Sequence, residues 1–417
     1  VGDQATYHRP FDAPLTADTE GLCRAVSHWI RTSGSVKQVA NDGAAAVKAA
    51  GTPPGQIATL IVPADIAWGE GGIPAVPLSA APRSQVSPEV LLTVSQALRS
   101  GEPAMLLLNG QALSEAGLFA SYRISHATGA KLVGPTHVPR IARGRGRVPV
   151  DRVPYVVDIA LQVFAGLKHL ILVGAKPPVG FFAYPGKPSL MAPKDCLIHV
   201  LAHPEEDAVA ALQWLADEIN APRLVPIKEE GPTPCIVKGL FDSKAFGMTL
   251  SALLPENAIV CDDMVTSGRA IFPATFNAAP HDWIQSTGGA IGHGFPCATG
   301  AAVACPDRKV VCLQADGAGM YTLQALWTQA REKLDVVNVI FANRVYKILY
   351  GELRATGVEP GPASDTLFDL SRPDLDWVAL AKGMGVEGVR VETLEGFADL
   401  FRSACGHRGP FLIEFRI

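Results

Sequence analysis

The sequence has no apolar run close to the ~20 residues that a membrane-spanning helix requires. Its richest stretch, 156–174, is interrupted by polar and charged residues: Asp158, Gln162, Lys168 and His169. The chain also lacks an initial methionine and a signal-peptide pattern, since it begins VGDQATYHRPFDAPL. That opening is typical of a strand already under way, and we expect a natural N-terminal portion to be missing.

The eight cysteines include no C-x-x-C pair, which argues against zinc sites and dithiol redox motifs. Several of them stand inside apolar runs, such as Cys261 in AIVCDD and Cys312 in VVCLQA. Buried cysteines behave in this way as small hydrophobic residues. This usage favours a reducing, cytoplasmic setting.

Charge is low, and neither sign dominates. A net charge of −4 argues against nucleic acid or an acidic membrane as the main partner. One basic run stands out, PRIARGRGRVP at 139–149, which holds Arg140, Arg143, Arg145 and Arg147. An anion-binding loop is one explanation of this run, but we favour a solvated Gly-Arg connection.

The pattern of apolar residues predicts the fold. A chain of 417 residues, 48% of them hydrophobic, suggests two or three domains. Short apolar strands alternate with helical segments over 89–220 and 236–417, as in parallel α/β sheets. Residues 1–68 add the helical stretches TEGLCRAVSHWIRTS and VKQVANDGAAAVKAAG and the strand IATLIVPAD, and Pro- and Gly-rich linkers occupy 69–88 and 221–235. We predict an α/β fold of three domains, each with a mostly parallel sheet flanked by helices.

Two polar residues stand where predicted strands end. Asp316 follows KVVCLQA and Asn343 closes VVNVIFAN, with one helix between them. The carboxyl ends of neighbouring parallel strands meet at one edge of a sheet, where ligands bind. Carboxylate and amide oxygens suit Mg²⁺, which completes its shell with phosphate and water. Either residue alone would be explained as a cap, but the pair beside Gly317 and Ala318 favours a metal-held diphosphate.

A second glycine-rich segment, STGGAIGHGFPCATGAAVA at 286–304, follows the predicted strand DWIQS. Its lack of side-chain bulk indicates that a ligand approaches the backbone closely. A nicotinamide-dinucleotide site is the rival explanation, but Cys297 stands where G-x-G-x-x-G requires its third glycine. His293 is a weak acid–base candidate, and we expect it, like His8 and His28, to be structural.

These residues resemble the thiamine diphosphate enzymes, in the branch of benzoylformate decarboxylase and acetolactate synthase. The resemblance runs from DAPLTADTEGLCRAVSHWIRTS to GPFLIEFRI, and its motif is the D-G…N arrangement after GGAIGHGFPCATGAAVACPDRKVV. It implies the C-terminal part of a pyrimidine-binding domain over 1–68, a middle domain over 89–220 and a diphosphate-binding domain over 236–417. It also implies a dimer or tetramer, because such cofactors lie between subunits.

The resemblance implies a role for each matching residue. Asp316, Asn343 and the Val345 carbonyl would bind Mg²⁺, while the diphosphate would meet Gly317, Ala318, Thr266 and Ser267. The Gly289 carbonyl would accept a hydrogen bond from the cofactor's 4′-amino group, and Ile291 would hold the cofactor in its bent form. The substrate side would be lined by Phe181, Phe182, Ile348 and Leu349.

The sequence departs from the family at several points. Ala315 replaces the first glycine of G-D-G, and Phe181 and Phe182 stand where a benzoylformate decarboxylase-like enzyme has a pocket histidine. AIVCDDMVTSGRAIF lacks the G-Q-H-Q-M-W-type stretch of acetolactate synthases. The activating Glu of the family has no counterpart in 1–68, so we expect it to precede this chain.

The expected activity is that of a Mg²⁺- and thiamine diphosphate-dependent lyase or carboligase, which decarboxylates 2-oxo acids through a C2 carbanion of the cofactor. Acetolactate synthase, a transferase that joins two 2-oxo acids, is the first alternative. The second alternative is a catalytically incompetent cofactor-binding fragment that lacks the activating Glu. A NAD-binding oxidoreductase is a more distant alternative. Binding of FAD by the middle domain stays open.

Overall fold

Short apolar strands assemble into three largely parallel sheets in the computed structural model, which describes residues 1–417. The chain divides into two units, Val1–Ser87 with Ala202–Ala211, and Pro88–Leu201 with Leu212–Ile417. None of the helices has the length and apolar character needed to cross a membrane. The predicted α/β class is confirmed.

The first unit holds a three-stranded parallel sheet in the order β1-β3-β2. Its elements are β1 Gly2–Asp3, α1 Thr19–Arg24, β2 Trp29–Thr32, α2 Val39–Gly51, β3 Ala58–Pro63 and α3 Ala64–Trp68. The single helix expected over TEGLCRAVSHWIRTS is wrong in its second half. There Trp29–Thr32 pairs with β3, because aromatic and β-branched residues favour a pleated surface over a helix.

The second unit contains a five-stranded sheet in the order β7-β5-β4-β8-β9. Its strands are β4 Ala104–Leu108, β5 Lys131–Gly134, β7 Asp151–Arg152, β8 His169–Val173 and β9 Leu197–Ala202. The helices of this part of the chain are α4 Pro88–Arg99, α5 Glu115–Thr128, α6 Val157–Phe164 and α7 Ala208–Glu218. Both β4 and β8 are buried along their whole length, as fully apolar runs predict.

A seven-stranded sheet in the order β14-β15-β13-β12-β10-β11-β6 carries the candidate site. Its strands are β6 Ile141–Arg143, β10 Ile259–Asp263, β11 His281–Gln285, β12 Val310–Ala315, β13 Val336–Ala342, β14 Glu387–Val391 and β15 Phe411–Arg416. The helices are α8 Ser243–Leu253, α9 Ile271–Ala274, α10 Gly294–Ala304, α11 Asp316–Gly319, α12 Ala325–Arg331, α13 Lys347–Ala355, α14 Pro362–Phe368, α15 Trp377–Gly383 and α16 Leu394–Gly406. All strands are parallel except β6, which is antiparallel to β11.

The core of this sheet fixes the strands that carry the site. On one face Phe295 and Trp377 are fully buried beside β10 and β12. On the other face Phe397 stacks on Phe415, with 5.8 Å between ring centroids. Full burial of one such side chain contributes about 1.5–3 kcal/mol to the stability of the folded protein. Packing on both faces of the sheet therefore holds the strand ends in place.

The basic run at 139–149 differs from the solvated connection that we predicted. Arg143 belongs to β6 and is only 1% exposed. Its guanidinium donates to the Phe272 carbonyl and lies 3.5 Å from the centroid of that ring. Aromatic faces compensate part of the cost of burying this charge. Arg145 is exposed, as expected.

The strand order places a topological switch point in the seven-stranded sheet. From β10 the chain passes to β11 on one side and then to β12 on the other. The connections that leave β10 and β12 therefore diverge and open a crevice at their carboxyl ends. Ligands of open parallel sheets bind in such crevices.

Candidate functional site

The metal-ligand candidates lie together at the carboxyl edge of the seven-stranded sheet. Ala315 pairs with Phe341, so Asp316 and Asn343 leave neighbouring strands at nearly the same level. The Asp316 carboxylate accepts hydrogen bonds from the Gly317 amide at 2.8 Å and from the Arg344 amide at 2.6 Å. The two strand tips are adjacent in space, as we predicted.

The Asp316 carboxylate is suited to a cation. Its side chain is buried, and burial raises the pKa of Asp316 to about 6. Both of its donors are backbone amides, so no side-chain cation balances the charge. Beside it, Asn343 Oδ1 accepts from the Val345 amide at 3.0 Å, and the Val345 carbonyl accepts from the Lys347 amide at 2.8 Å. Oxygen ligands next to an uncompensated buried charge fit a small divalent ion.

The turn after β12 is packed so closely that only small residues fit. A Cβ on Gly317 would lie 2.5 Å from the ring of Tyr346, and one on Gly319 would lie 2.8 Å from Trp377. Ala318 between them is buried. This turn starts a short helix. The Gly317 amide donates to Asp316, and the amides that follow it lack intrahelical acceptors and so fit an anion next to a cation.

Thr266 and Ser267 lie in the turn that follows β10, the strand beside β12. The Ser267 amide donates to the Met264 carbonyl at 3.2 Å, and Val265 has a positive φ of 53°. Both predicted residues therefore leave the sheet at the same edge as Asp316.

The glycine-rich loop after β11 presents Gly289 and Ile291. Gly289 has a φ of 69°, and a Cβ on it would overlap the ring of Phe181. The Ile291 amide donates to the Gly289 carbonyl at 3.0 Å, which closes a three-residue turn around Ala290. Ile291 is 46% exposed, which is unusual for an isoleucine next to a core helix and leaves its side chain free to contact a ligand.

Asp263 was not singled out from the sequence, yet it fixes this loop. Its Oδ2 accepts from the Gly292 amide at 2.9 Å, the Gly294 amide at 3.3 Å and Gln314 Nε2 at 2.8 Å. Burial raises the pKa of the Asp263 carboxyl. The signal was visible as the carboxylate pair that closes AIVCDD, at the same kind of strand end as Asp316.

A cavity of about 470 Å³ adjoins the loop. Five of the predicted residues line it: Phe181, Phe182, Gly289, Ile291 and Ile348. Leu349, predicted to line the substrate side with Ile348, is not among the lining residues. The cavity has an apolar wall and several polar groups, which is typical of a small-molecule site.

A pair of tyrosines, of which Tyr155 lines the cavity, could not be identified from the sequence. Glu352 accepts from Tyr155 at 3.0 Å and from Tyr184 at 2.8 Å. Burial and the Glu352 carboxylate raise the pKa of Tyr155. These bonds tie α13, which carries Ile348, to the segment that carries Phe181. The tyrosines lie far from Glu352 in sequence, so no local pattern reveals them.

His293 is the N-cap residue of α10 and faces Cys297, four residues along. Its Nε2 is buried without a partner, and the contact with Cys297 raises the pKa of His293. His293 does not line the cavity. The structural role of His293 therefore stays a prediction.

The sequence of this chain is similar to those of known thiamine diphosphate enzymes. The family model of the thiamine pyrophosphate enzymes, C-terminal TPP binding domain, matches residues 268–415, which include Asp316 and Asn343. A Mycobacterium tuberculosis protein with the provisional name acetolactate synthase large subunit IlvX is 46% identical over 416 residues, 99% of this chain and 80% of that protein. Benzoylformate decarboxylase of Pseudomonas aeruginosa is 28% identical over 211 residues, 50% of this chain and 39% of that enzyme.

The fold is also similar to solved structures. The thiamine diphosphate-dependent 4-hydroxybenzoylformate decarboxylase of Rhodococcus jostii has a TM-score of 0.84 at 22% identity, over 99% of this chain and 81% of that chain. The resemblance inferred from the sequence is confirmed, and the NAD-binding alternative is not supported. The chain belongs to the thiamine diphosphate-dependent enzymes, in the branch that contains acetolactate synthase large subunits and 2-oxo acid decarboxylases.

Proposed function

We propose that this protein is a Mg²⁺- and thiamine diphosphate-dependent enzyme that decarboxylates 2-oxo acids, with a lyase or carboligase outcome. The observation that carries the proposal is the adjacency of Asp316 and Asn343 at the carboxyl ends of β12 and β13, next to the switch point of the sheet. A buried carboxylate with backbone donors alone fits a metal that bridges to a diphosphate.

The residues at the strand ends would hold the cofactor. Asp316, Asn343 and the Val345 carbonyl would bind Mg²⁺, which is supported by the turns at 266–267 and 317–318 lying at the same edge of the sheet. The cofactor, when bound, supplies an electron sink for the carbanion left after loss of CO₂. The protein would contribute the position of the cofactor and the charge of the Asp316 carboxylate beside it.

The loop at 286–294 would orient the other end of the cofactor. Asp263 holds the amides of Gly292 and Gly294, which keeps the Gly289 carbonyl and the Ile291 side chain at the cavity mouth. Phe181, Phe182 and Ile348 form an apolar wall that would exclude water from the reacting atoms. An apolar wall also favours loss of a charged carboxylate as neutral CO₂.

Acetolactate synthesis is the second candidate reaction. It is supported by the relative that is 46% identical and bears that name. The lyase outcome is supported by the decarboxylase relatives and by the aromatic pair Phe181 and Phe182 in the cavity wall. Both outcomes share decarboxylation of a 2-oxo acid as their first stage.

We further propose the domain division 1–68, 89–220 and 236–417 and a homodimer or homotetramer, in line with the family. A reducing, cytoplasmic compartment is supported by eight cysteines that all lack a disulfide partner.

Product analysis tests the proposal. The protein is incubated with pyruvate or benzoylformate, thiamine diphosphate and Mg²⁺, and the products are identified by mass spectrometry. Aldehyde supports a lyase, whereas acetolactate, detected as acetoin after acid treatment, supports the synthase. Unchanged 2-oxo acid, with cofactor bound, would contradict both reactions.

A further inference from the structure

Arg152 lines the cavity, and its guanidinium has no hydrogen-bond or ion-pair partner in the protein. It ends β7, and its guanidinium lies 3.9 Å from the centroid of the Phe272 ring. Three other arginines nearby are all engaged: Arg140 with Asp282, Arg143 with the Phe272 carbonyl and Arg147 with the His281 carbonyl. Arg152 makes no side-chain hydrogen bond or ion pair, so all its donors are available.

These donors open into the cavity. Buried nitrogen atoms without partners occur in Arg143, at Nε and Nη1, but none of the Arg152 nitrogens is among them. Because the Arg152 nitrogens have no protein acceptor, they must border accessible space, and Arg152 lines the cavity. Its ring stacking fixes the guanidinium plane, which limits the entropy lost on binding a ligand.

The nearest acids do not neutralise Arg152 directly. The Asp262 carboxylate already accepts from Trp283 Nε1 at 3.1 Å, Gln285 Nε2 at 3.0 Å and the Met264 amide at 3.1 Å. Asp151 is exposed, and its Oδ1 accepts from the Arg152 backbone amide, not from the guanidinium. The positive charge of Arg143 lies on the same ring, at 3.5 Å. The cavity wall therefore offers a planar set of donors with no protein acceptor, although the carboxylates of Asp151, Asp262 and Asp263 also line the cavity.

We propose that Arg152 binds a substrate carboxylate that is kept through the reaction. A guanidinium matches a carboxylate with two parallel hydrogen bonds. The reaction itself rests on the function proposed above, whereas the anion site rests on the cavity alone. Arg269 also lines the cavity, but its side chain is exposed and screened by solvent.

The carboxylate that is lost does not suit this site. An arginine that stabilises that charge in the ground state loses the interaction as neutral CO₂ forms, which raises the barrier. The anion held by Arg152 is therefore a spectator group. It comes either from a second carboxylate on the 2-oxo acid that is decarboxylated or from the carboxylate of a 2-oxo acid acceptor.

The first experiment measures binding without the cofactor. The protein is titrated calorimetrically with glutarate, a non-reacting dicarboxylate, and with the neutral diamide glutaramide. We expect Arg152→Met to weaken glutarate binding by roughly 10- to 100-fold, the range for a charge-assisted pair. Arg145→Met is the matched control, because Arg145 is exposed and outside the cavity, and it should bind like the wild type. Equal glutarate affinity in all three proteins would overturn the proposal.

The second experiment identifies the source of the carboxylate in the holoenzyme. If the group is on the donor, Arg152→Met lowers kcat/KM for 2-oxoglutarate by roughly 10- to 100-fold and leaves 2-oxovalerate unchanged. If it is on the acceptor, the variant loses carboligation to pyruvate but keeps carboligation to acetaldehyde. A variant that matches Arg145→Met in both assays overturns the proposal. Arginine-dependent glutarate binding without any turnover would instead refute the proposed function and leave the anion site.

Discussion

The carboxylate of Asp316 and the backbone amide of Arg344 form a hydrogen bond of 2.6 Å, which joins the tips of the neighbouring strands β12 and β13. The bond holds Asn343, the preceding residue, beside the carboxylate. Arg344 has a positive φ of 59°, so this turn is strained and is held by its surroundings. The oxygen atoms that we propose as metal ligands are therefore positioned by the protein alone.

Removing either proposed ligand should weaken metal-dependent binding. We expect Asp316→Ala and Asn343→Ala to weaken binding of thiamine diphosphate with Mg²⁺ on the order of 100-fold, at or beyond the loss known for groups that only support a metal ligand. Asp335→Asn is the control, because Asp335 immediately precedes β13, at the opposite edge of the same sheet, and pairs with Lys309. Calorimetry measures all three. Unchanged affinity in both alanine variants would contradict the ligand assignment.

Gly289 and Gly288 offer a matched pair of substitutions. Both have positive φ, 69° and 72°, but only a Cβ on Gly289 would overlap Phe181, whereas Gly288 has open space. Each alanine should cost about 1–2 kcal/mol of unfolding free energy through backbone strain. Gly289→Ala should cost roughly 1–3 kcal/mol more through overpacking.

Urea denaturation gives the unfolding free energy of each variant. In a Phe181→Ala background the overlap is removed, so the loss caused by Gly289→Ala should be close to that caused by Gly288→Ala. Equal losses in the two single variants would show that Phe181 does not rest on the loop.

The stability of the protein should fall in acid partly through His281. Burial lowers the pKa of this fully buried imidazole to about 3 from 6.5. Between those values the unfolded chain binds a proton that the native protein does not. Stability therefore rises with pH through this window, by up to about 1.4 kcal/mol per pH unit from this group.

Denaturation of wild type and His281→Asn from pH 4 to 7 isolates the contribution. The unfolding free energy of the variant should rise less steeply with pH than that of the wild type. Parallel curves would mean that His281 is protonated in the native protein.

Cys297 should be the most reactive thiol. Its contacts with Cys261 and then His293 lower the pKa of Cys297 to about 5, while the pKa of Cys261 is raised well above its ordinary value. Thiolates, not thiols, are alkylated, so Cys297 should react with iodoacetamide at pH 6 at least ~10-fold faster than Cys235, although Cys235 is more exposed.

Peptide mass spectrometry identifies the labelled cysteine. The substitution His293→Asn should slow the reaction of Cys297 with iodoacetamide. Preferential labelling of Cys235 would show that exposure, not the His293 contact, governs reactivity.

Periodicity alone located most of the seven-stranded sheet. VVNVIFAN and KVVCLQA are apolar throughout because both faces of β12 and β13 are covered, so each strand and its polar end could be recognised. The short pattern of Trp29–Thr32 does not distinguish strand from helix, and only its pairing with β3 shows that it is a strand.

Long-range contacts could not be read from the sequence. Arg143 stands in a run that looks solvated and Arg152 follows that run, yet both stack on Phe272, more than a hundred positions away. The bonds of Asp263 to the glycine-rich loop likewise require the order of β10, β11 and β12, which no local pattern contains.

The most direct test of the central claim is calorimetric titration of this protein with thiamine diphosphate, first with Mg²⁺ and then after addition of EDTA, with NAD as the control ligand. The account predicts binding of thiamine diphosphate that requires Mg²⁺, and no binding of NAD. Binding of thiamine diphosphate that persists in EDTA, or binding of NAD in its place, would contradict a diphosphate held through a metal at Asp316 and Asn343.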